Sequence, residues 1–477
     1  MPIIPGLNED CATLVLDCLE TPSLLSIALT SRAAVHPVHL RLVHDPRLTT
    51  SGRASSFLKF VIGRSLESAL HILRFNINAA QRADPWPTLL ADVLQRATNL
   101  SRLAVLLSST VTGPGYCDRI FDACQQRFFD ALVNLTPALK HLRICQCNPE
   151  DLMALQGIQG LRSIWLSTSV YDTEPEMMAS NMASIKRIIA GNANTLQDVS
   201  LVCPNSKGVQ LRFEGTCPLV TRFAFFQVPI DFTSLSRAFP NIRRLKQEYD
   251  APEDLGASPV LPELTTLVTT DALSQPILAG AHSDYPLLRC LIIINIHRYY
   301  SSTWFSSLLQ TIKRFYIHEL SLRDVAVPPG FFDQPSEVKT NPIATFLSQL
   351  LEGAPHLRKL DLCLTYEYEE AQVDSVVSVF LYDVRVLINH VLDGDSARLC
   401  RARTRTRESR ILVAFYGLVL GKPSVSEKPG GIRQSLVHRL STFGPSADVT
   451  GDSGVQMDAA LEDRQRRPPA QCGDPAV

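Results

Sequence analysis

A short pattern of apolar residues recurs along the middle of the chain and constrains its fold more than any other feature of the sequence. In most copies, a second apolar residue lies three positions after the first and a third lies five positions after it. The clearest copies also carry a proline two residues before the first position: Pro137, Pro218, Pro240, Pro262, Pro286 and Pro355. From Pro218 to Pro286 the steps are 22, 22 and 24 residues, which indicates that one structural unit is repeated.

Weaker copies without the proline bring the total to ten, separated by 22 to 40 residues. We call the first apolar residue of each copy its anchor residue. The anchor residues are Leu100, Leu139, Leu161, Leu196, Val220, Ile242, Leu264, Leu288, Ile317 and Leu357. The later apolar positions alternate with variable ones, which predicts one buried face of a short strand. Helix-like stretches such as residues 180–190, 232–239, 304–315 and 343–353 separate the strands.

A short strand followed by a helix cannot bury its own apolar surface, so successive units are expected to stack on one another. The order of the apolar residues and the step length resemble those of leucine-rich repeats. The resemblance implies an α/β fold in which residues 96–370 form an irregular, horseshoe-like leucine-rich-repeat solenoid. The alternative is a doubly wound α/β domain whose strands imitate a repeat by chance.

Composition and charge limit where such a chain can work. The 477 residues are 45% hydrophobic and 19% charged, with a formal net charge of -1, so no global field recruits nucleic acid or an anionic membrane. The first residues lack the pattern of a secretory signal, and no apolar run approaches the roughly 20 residues of a membrane helix. We therefore expect a soluble protein of the cytoplasm, the nucleus or both, with its cysteines reduced.

Residues 7–43 predict three short helices ahead of the repeats, each with apolar residues at helical spacing. The third is expected to begin after Ser31 and to be kinked or interrupted at Pro37. Cys11 and Cys18 lie seven residues apart on the first helix, and we expect them to pack in its core. Because three short helices bury little surface, this unit should complete its core against a neighbour or a partner.

The same stretch resembles the F-box, in the form common in basidiomycete fungi. Nine residues fall on its pattern without a gap: Leu7, Val15, Leu19, Leu24, Leu25, Ala28, Leu29, Ser31 and Arg32. F-box proteins are non-catalytic substrate receptors of cullin–RING ubiquitin ligases. The resemblance implies that this unit docks on a Skp-type adaptor, and through it on the cullin ligase core, while the repeats bind a protein target. The implied adaptor-binding residues are Leu7, Val15, Leu19, Leu24, Leu25 and Leu29.

The domain plan that follows has five parts. They are an F-box at 1–50, a helical linker at 51–95, the repeats at 96–370, an apolar segment of uncertain fold at 371–421 and a disordered tail at 422–477 rich in Pro, Gly, Ser and charge.

Within the fourth part lies a basic run: Arg398, Arg401, Arg403, Arg405, Arg407 and Arg410. No aromatic residues interleave with it to stack on bases, so a flexible basic linker is favoured over a nuclear address or a nucleic-acid contact.

On the repeat frame, the residues between the buried strand positions face the concave side. They include His141, Arg143, Ser163, Trp165, Asp198, Ser200, Arg222, Phe226, Arg244, Lys246, Lys359 and Asp361. Arg222, Arg244 and Lys246 are expected to form a basic stripe, and Trp165 and Phe226 to be exposed aromatics of the kind that anchors interfaces. We expect these five residues to bind a protein target that carries acidic groups, and we expect no nucleic acid.

Motifs for bond chemistry are missing from the sequence. It has no phosphate-binding glycine loop and no nucleophile elbow, so we expect no enzyme, no catalytic residue and no cofactor. Cys145 and Cys147 form a Cys-x-Cys pair that could suggest a metal site. On the repeat frame, however, Cys147 turns inward and Cys145 lies on the concave edge, which makes the pair a poor chelate.

Three histidines and two substitutions leave alternatives open. His36, His39 and His44 recur in the third predicted helix, where ordinary helix residues are favoured over metal ligands. Asn8 and Thr30 depart from the usual F-box pattern. The other functions to consider are therefore a repeat scaffold with a degenerate F-box that acts outside any ligase, and an enzyme with an unrecognised site.

Overall fold

The computed structural model describes residues 7–78, 85–108, 124–135, 138–168, 174–203, 210–248, 260–270, 282–294, 302–327, 349–350, 353–354, 356–366 and 399–406. All of them belong to the first of the two units into which the chain divides, Met1–Leu418. The apolar stretches 374–392 and 410–421 and the tail 422–477 lie outside the described residues.

Helices and strands alternate through most of the described chain. The helices are α1 (Glu9–Asp17), α2 (Thr21–Thr30), α3 (Arg32–His44), α4 (Ser51–Gly63), α5 (Trp86–Leu94), α6 (Gln125–Asn134), α7 (Pro149–Leu155), α8 (Pro175–Gly191), α9 (Phe232–Ala238) and α10 (Ser302–Phe315). The strands are β1 (Arg47–Leu48), β2 (Ile72–Asn78), β3 (Arg102–Ser108), β4 (His141–Cys147), β5 (Ser163–Thr168), β6 (Asp198–Val202), β7 (Arg222–Phe226), β8 (Arg244–Glu248), β9 (Thr266–Thr269), β10 (Cys290–Ile293), β11 (Glu319–Val327), β12 (Lys359–Tyr366) and β13 (Leu399–Thr406).

All thirteen described strands form one open, parallel sheet in which every strand lies beside its neighbours in sequence. A doubly wound sheet reverses its strand order at a switch point, so the sequential order rules out that alternative for the described strands. The fold is a mixed α/β arrangement, as the alternation of strand-like and helix-like segments predicts. We call β1–β13 with α4–α10 the strand array, and residues 7–44, which contain α1–α3, the N-terminal helical unit.

The ten anchor residues are all buried, with an exposed fraction of 3% or less, and each lies two residues before a strand of β3–β12. The four prolines that the structure describes, Pro218, Pro240, Pro262 and Pro286, occupy the turn that precedes the anchor residue. In one such turn the Leu264 amide donates to the Leu261 carbonyl (3.1 Å), which puts Pro262 at the second turn position that its fixed φ suits. The repeat pattern is therefore confirmed as a structural repeat of strand entries.

Backbone hydrogen bonds link each strand entry to the next. The carbonyl of Lys140 accepts from the amides of Arg162 (2.7 Å) and Ser163 (3.0 Å), and the carbonyl of Arg162 accepts from those of Gln197 (2.7 Å) and Asp198 (3.1 Å). The same pairing recurs along the sheet up to Lys359. Because each unit satisfies the polar backbone of the next, the strands keep one register.

One continuous apolar core lies between the sheet and the helices of the strand array. The second and fourth residues of the strands, such as Leu142 and Ile144, are buried in the same cluster as Leu58 of α4, Phe128 of α6 and Leu308 of α10. The first and third residues of the strands point to the other face. This arrangement leaves the alternate strand residues as the candidates for binding.

Two of the expected domain boundaries are wrong. Residues 51–95 are not a helical linker, because they supply β2, which pairs with β1 and β3. The sheet also continues past residue 370. Arg401, Arg403 and Arg405 lie in β13, paired in parallel with β12, so this part of the basic run is a strand and not a flexible linker.

The N-terminal helical unit has a small core of its own, formed by Leu16, Leu24, Ala34 and Val38. The helix α3 continues through Pro37 without the expected interruption. Cys11 and Cys18 are exposed, so their expected place in the core is wrong.

The described contacts explain how α1 is held. The side chains of Ala12 and Leu16, and not those of the cysteines, form the buried face of α1. The Asn8 side chain accepts a hydrogen bond from the Cys11 amide (2.7 Å) and caps its first turn. Arg41 of α3 pairs with Asp17 (3.2 Å) at its last turn.

Candidate interaction surfaces

The first candidate surface is a set of exposed apolar side chains on the N-terminal helical unit. Six of the eleven large hydrophobic residues that are exposed in the described part of the chain belong to it: Leu7, Leu14, Val15, Leu25, Leu29 and Leu40. Leu29 is 89% exposed and Leu14 is 65% exposed. Leu25 and Leu29 lie one turn apart on α2 and therefore share a face. Clustered exposed apolar residues mark interaction sites more often than isolated ones do.

The six residues expected to contact an adaptor divide between surface and core. Leu7, Val15, Leu25 and Leu29 are exposed, and Leu19 is half-buried. Leu24 is only 3% exposed and forms part of the small helical core, so its expected role as a contact residue is corrected to one in folding. Leu14, which the sequence pattern did not single out for binding, joins the exposed set.

The second candidate surface is the face of the sheet that carries the first and third residues of each strand. For β3–β8 these positions form two rows across the strands, which we call row 1 and row 3. Row 1 reads Arg102, His141, Ser163, Asp198, Arg222 and Arg244, and row 3 reads Ala104, Arg143, Trp165, Ser200, Ala224 and Lys246. Arg222 and Arg244 are register partners, so the structure brings these two members of the expected basic stripe together.

The two aromatic residues expected to be exposed are only half-exposed. Trp165 packs partly against the main core, and the guanidinium of Arg143 lies 6.0 Å from its ring centroid. Phe226, the fifth residue of β7, is half-buried as well. The expectation of two exposed aromatics is therefore wrong, because side chains on this face of the sheet pack against one another.

Asp198 is surrounded by arginine side chains. The Arg222 Nε lies 3.6 Å from its Oδ2, with the Arg222 side chain 62% exposed and the Asp198 side chain 34% exposed. Burial raises the pKa of Asp198, while the charges of Arg222, Arg143 and Arg244 act in the opposite direction. We call Asp198 with Arg143, Arg222 and Arg244 the Asp198 cluster.

His141 lies beside the cluster and reports the same positive potential. Burial lowers the pKa of His141, and the charges of Arg102, Arg162 and Arg222 lower it further. Its neutral form is therefore favoured. The charges that shift the pKa of His141 are all positive, even though the whole chain is nearly neutral.

A further basic row lies at the strand entries, and the sequence analysis missed it. The residue that follows each anchor residue is basic in half of the ten units: Lys140, Arg162, Arg243, Arg289 and Arg358. The signal was available, because these positions keep a fixed offset from the anchor residues. These positions lie outside the strands, so the alternation of buried and variable strand residues does not reveal them.

The Cys-x-Cys pair belongs to the core. Cys147 is fully buried as expected, but Cys145 is buried too, which corrects its expected place on the concave edge. Gln146 between them has a φ of 58°, and the register with β5 shifts between Ile144 and Cys147. This irregularity interrupts the alternation of the strand. Asn148 then caps α7 in a capping box with Asp151.

In the part of the chain that the structure describes, neither thiols nor histidines gather into a ligand set. Among the described residues, no group of three or more His, Cys, Asp or Glu side chains could hold a metal ion. His39 packs edge-on against Phe60, and His44 lies 4.9 Å from His71, ring centre to ring centre. Burial raises the pKa of Cys203 to about 12, so this thiol stays protonated and unreactive.

Comparison with known proteins leaves the family open: no family model and no curated protein matches this chain. No helix in the described part of the chain has both the length and the apolar character needed to span a bilayer.

Proposed function

We propose that the protein is a non-catalytic substrate receptor of a cullin–RING ubiquitin ligase. The N-terminal helical unit acts as an F-box that docks on a Skp-type adaptor, and the strand array acts as an irregular leucine-rich-repeat solenoid that holds a protein target. The observation that carries the proposal is the concentration of exposed apolar side chains on α1–α3. A unit with a small core of its own gains stability when a partner covers such a surface.

The arrangement of the strand array supports the second half of the proposal. Each strand lies beside its sequence neighbour, and each unit contacts mainly the adjacent units. Such one-dimensional stacking is typical of solenoids, which offer a broad surface made of alternate strand residues. On this proposal rows 1 and 3 face the target.

Mutation of the exposed leucines tests the adaptor step. Burial of a leucine side chain contributes about 1.5–3 kcal/mol, so a Leu25→Asp, Leu29→Asp variant should bind the adaptor at least about a hundredfold more weakly. Both residues lie outside the helical core, so the variant is expected to fold. The measurement is capture of purified Skp-type adaptor by the full chain.

A matched control is available in the strand array. Leu219 is 47% exposed and Leu287 is 43% exposed, which is close to the 47% of Leu25. A Leu219→Asp, Leu287→Asp variant should capture adaptor like the wild type. If the wild-type chain captures no adaptor at micromolar concentration, the proposal is wrong.

The second candidate function is a repeat scaffold that acts outside a ligase. It is favoured by Asn8, which replaces the proline of many F-boxes and has a structural task as the cap of α1. On this alternative, the exposed leucines contact another partner. The same experiment separates the two functions, since a scaffold would fail to capture the adaptor while still retaining its target.

A further inference from the structure

Within rows 1 and 3 of β3–β8, a single carboxylate stands among several cations. In rows 1 and 3 of β3–β8, the cationic side chains are Arg102, Arg143, Arg222, Arg244 and Lys246, and the anionic one is Asp198. Arg102, Arg222 and Arg244 alone outnumber this aspartate. Rows 1 and 3 of β3–β8 therefore carry more positive than negative charge, which favours an acidic ligand.

The side chains around Asp198 differ in size in a way that leaves room beside it. Along row 3, the short side chains of Ser200 and Ala224 lie between Trp165 and Lys246. With parallel strands about 4.8 Å apart, this low stretch measures roughly 14 Å between its two large side chains. Asp198 and Arg222 border it in row 1. A segment of extended peptide fits a surface of this width.

We propose that the Asp198 cluster receives an acidic peptide segment of the protein target, and that Asp198 occupies the place of one of its carboxylates in the free protein. The inference rests on the proposed function, in which this face of the sheet binds the target. The aspartate holds Arg222 in position and reduces the repulsion among the arginines. It also competes with the incoming carboxylate, so it limits affinity.

The electrostatics of Asp198 agree with a role in binding instead of in folding. Burial raises its pKa although three arginines favour its charged form. The native fold therefore disfavours the ionised carboxylate relative to the unfolded chain, and the aspartate adds no stability at neutral pH. A peptide is favoured over a nucleic acid, because Trp165 is the only Phe, Tyr or Trp in rows 1 and 3 of β3–β8, and it is half-buried against Arg143.

Titration of the full chain with a fluorescein-labelled, glutamate-rich peptide tests the inference. Removal of a like charge next to the bound carboxylate should tighten binding, so Asp198→Asn is expected to lower Kd about fivefold. Arg222→Gln with Arg244→Gln should raise Kd by more than about tenfold. The same peptide with glutamine in place of glutamate should bind neither form.

Asp361 provides the matched control. It is the third residue of β12, lies on the same kind of position and accepts a hydrogen bond from Ser321 (3.4 Å), but it is outside the Asp198 cluster. Asp361→Asn removes the same charge and should leave Kd unchanged. If Asp198→Asn does not fold, Asp198→Ser makes the same measurement with a smaller polar side chain.

Three outcomes decide the matter. Tighter binding by Asp198→Asn alone supports the inference, whereas equal or weaker binding by a folded Asp198→Asn overturns it. Tighter binding to a single-stranded oligonucleotide than to the glutamate peptide, at one ionic strength, would also overturn it. Adaptor capture is measured in parallel: its failure with the peptide results intact counts against the proposed function alone, and intact capture with an unchanged Kd counts against this inference alone.

Discussion

The N-terminal helical unit and the strand array differ in how completely they bury their apolar side chains. The helical unit has a core cluster of four buried residues and leaves six large apolar side chains exposed. The array buries every anchor residue in one continuous cluster, because each unit covers the apolar face of the next. The difference shows that apolar surface remains exposed where no further unit in the described part of the chain covers it.

The largest expected effect tests this difference with one leucine from each region. Leu161 is fully buried at a strand entry, so Leu161→Ala should destabilise the fold by about 2–5 kcal/mol. Leu29 is 89% exposed, so Leu29→Ala should stay within about 0.5 kcal/mol of the wild type. Urea denaturation followed by circular dichroism measures both changes. Equal effects in the two regions would remove the basis of the comparison.

A second prediction concerns a polar residue that the array depends on. The Asn192 side chain accepts from the Leu161 amide and donates to the carbonyls of Ile158 and Ile188, each at 2.9 Å, and it is 2% exposed. Asn192→Ala leaves these buried groups without partners and should cost about 3 kcal/mol. The matched control is Asn241→Ala, since Asn241 is exposed and donates one bond to the Pro218 carbonyl (2.8 Å). If both variants unfold at the same urea concentration, the three hydrogen bonds of Asn192 stabilise the fold no more than the single bond of Asn241 does.

The sequence predicts the burial of the anchor residues but not the structural role of Asn192. Burial of apolar side chains selects residue type at fixed steps, so the pattern remains visible in one sequence. A buried amide is recognisable only once its backbone partners are in place. The unit at β2 was missed although Leu70, Leu73 and Phe75 keep the same spacing, because it was assigned to a linker. Cys145 was misplaced because the positive φ of Gln146 shifts the alternation, and residue type alone does not show that shift.

The surfaces were predictable to a smaller extent. Four of the six expected adaptor-contact residues are exposed, whereas Leu24 is in the core, because one apolar stripe on a short helix serves both core and surface. Arg222 and Arg244 were placed correctly beside each other, since register follows from the repeat. The central position of Asp198 depends on which charges surround it on adjacent strands, and that requires the fold.

A third prediction returns to the helical unit and to the smaller free energies that hold it. Asn8→Ala removes the side-chain cap of α1 and should cost about 1 kcal/mol, while Asn8→Ser keeps an acceptor and should cost less. Thermal unfolding, with hydrogen exchange of the α1 amides as the readout, measures this loss of stability in α1 itself. Unchanged exchange in Asn8→Ala would show that packing of Ala12 and Leu16, and not the cap, fixes the start of the helix.

The smallest expected effect on stability is that of Asp198→Asn in the array. Because burial raises the pKa of Asp198 above its value in the unfolded chain, the wild type keeps its full stability below the unfolded pKa and loses some as pH rises through the folded pKa. The asparagine variant has no such loss. At pH 7 it should match the wild type or exceed it slightly, within about 0.5 kcal/mol, and the difference should close below about pH 4.

Urea denaturation at pH 7 and at acid pH, with Asp361→Asn as the control, measures this dependence on pH. A folded variant that is destabilised by more than about 1 kcal/mol at pH 7 would show that the pair with Arg222 is structural. The expected result is that Asp198, like the exposed leucines of the helical unit, contributes little to the stability of the fold. Both kinds of residue would then occupy places where the fold gains little from them, as the proposed contacts with an adaptor and with an acidic target require.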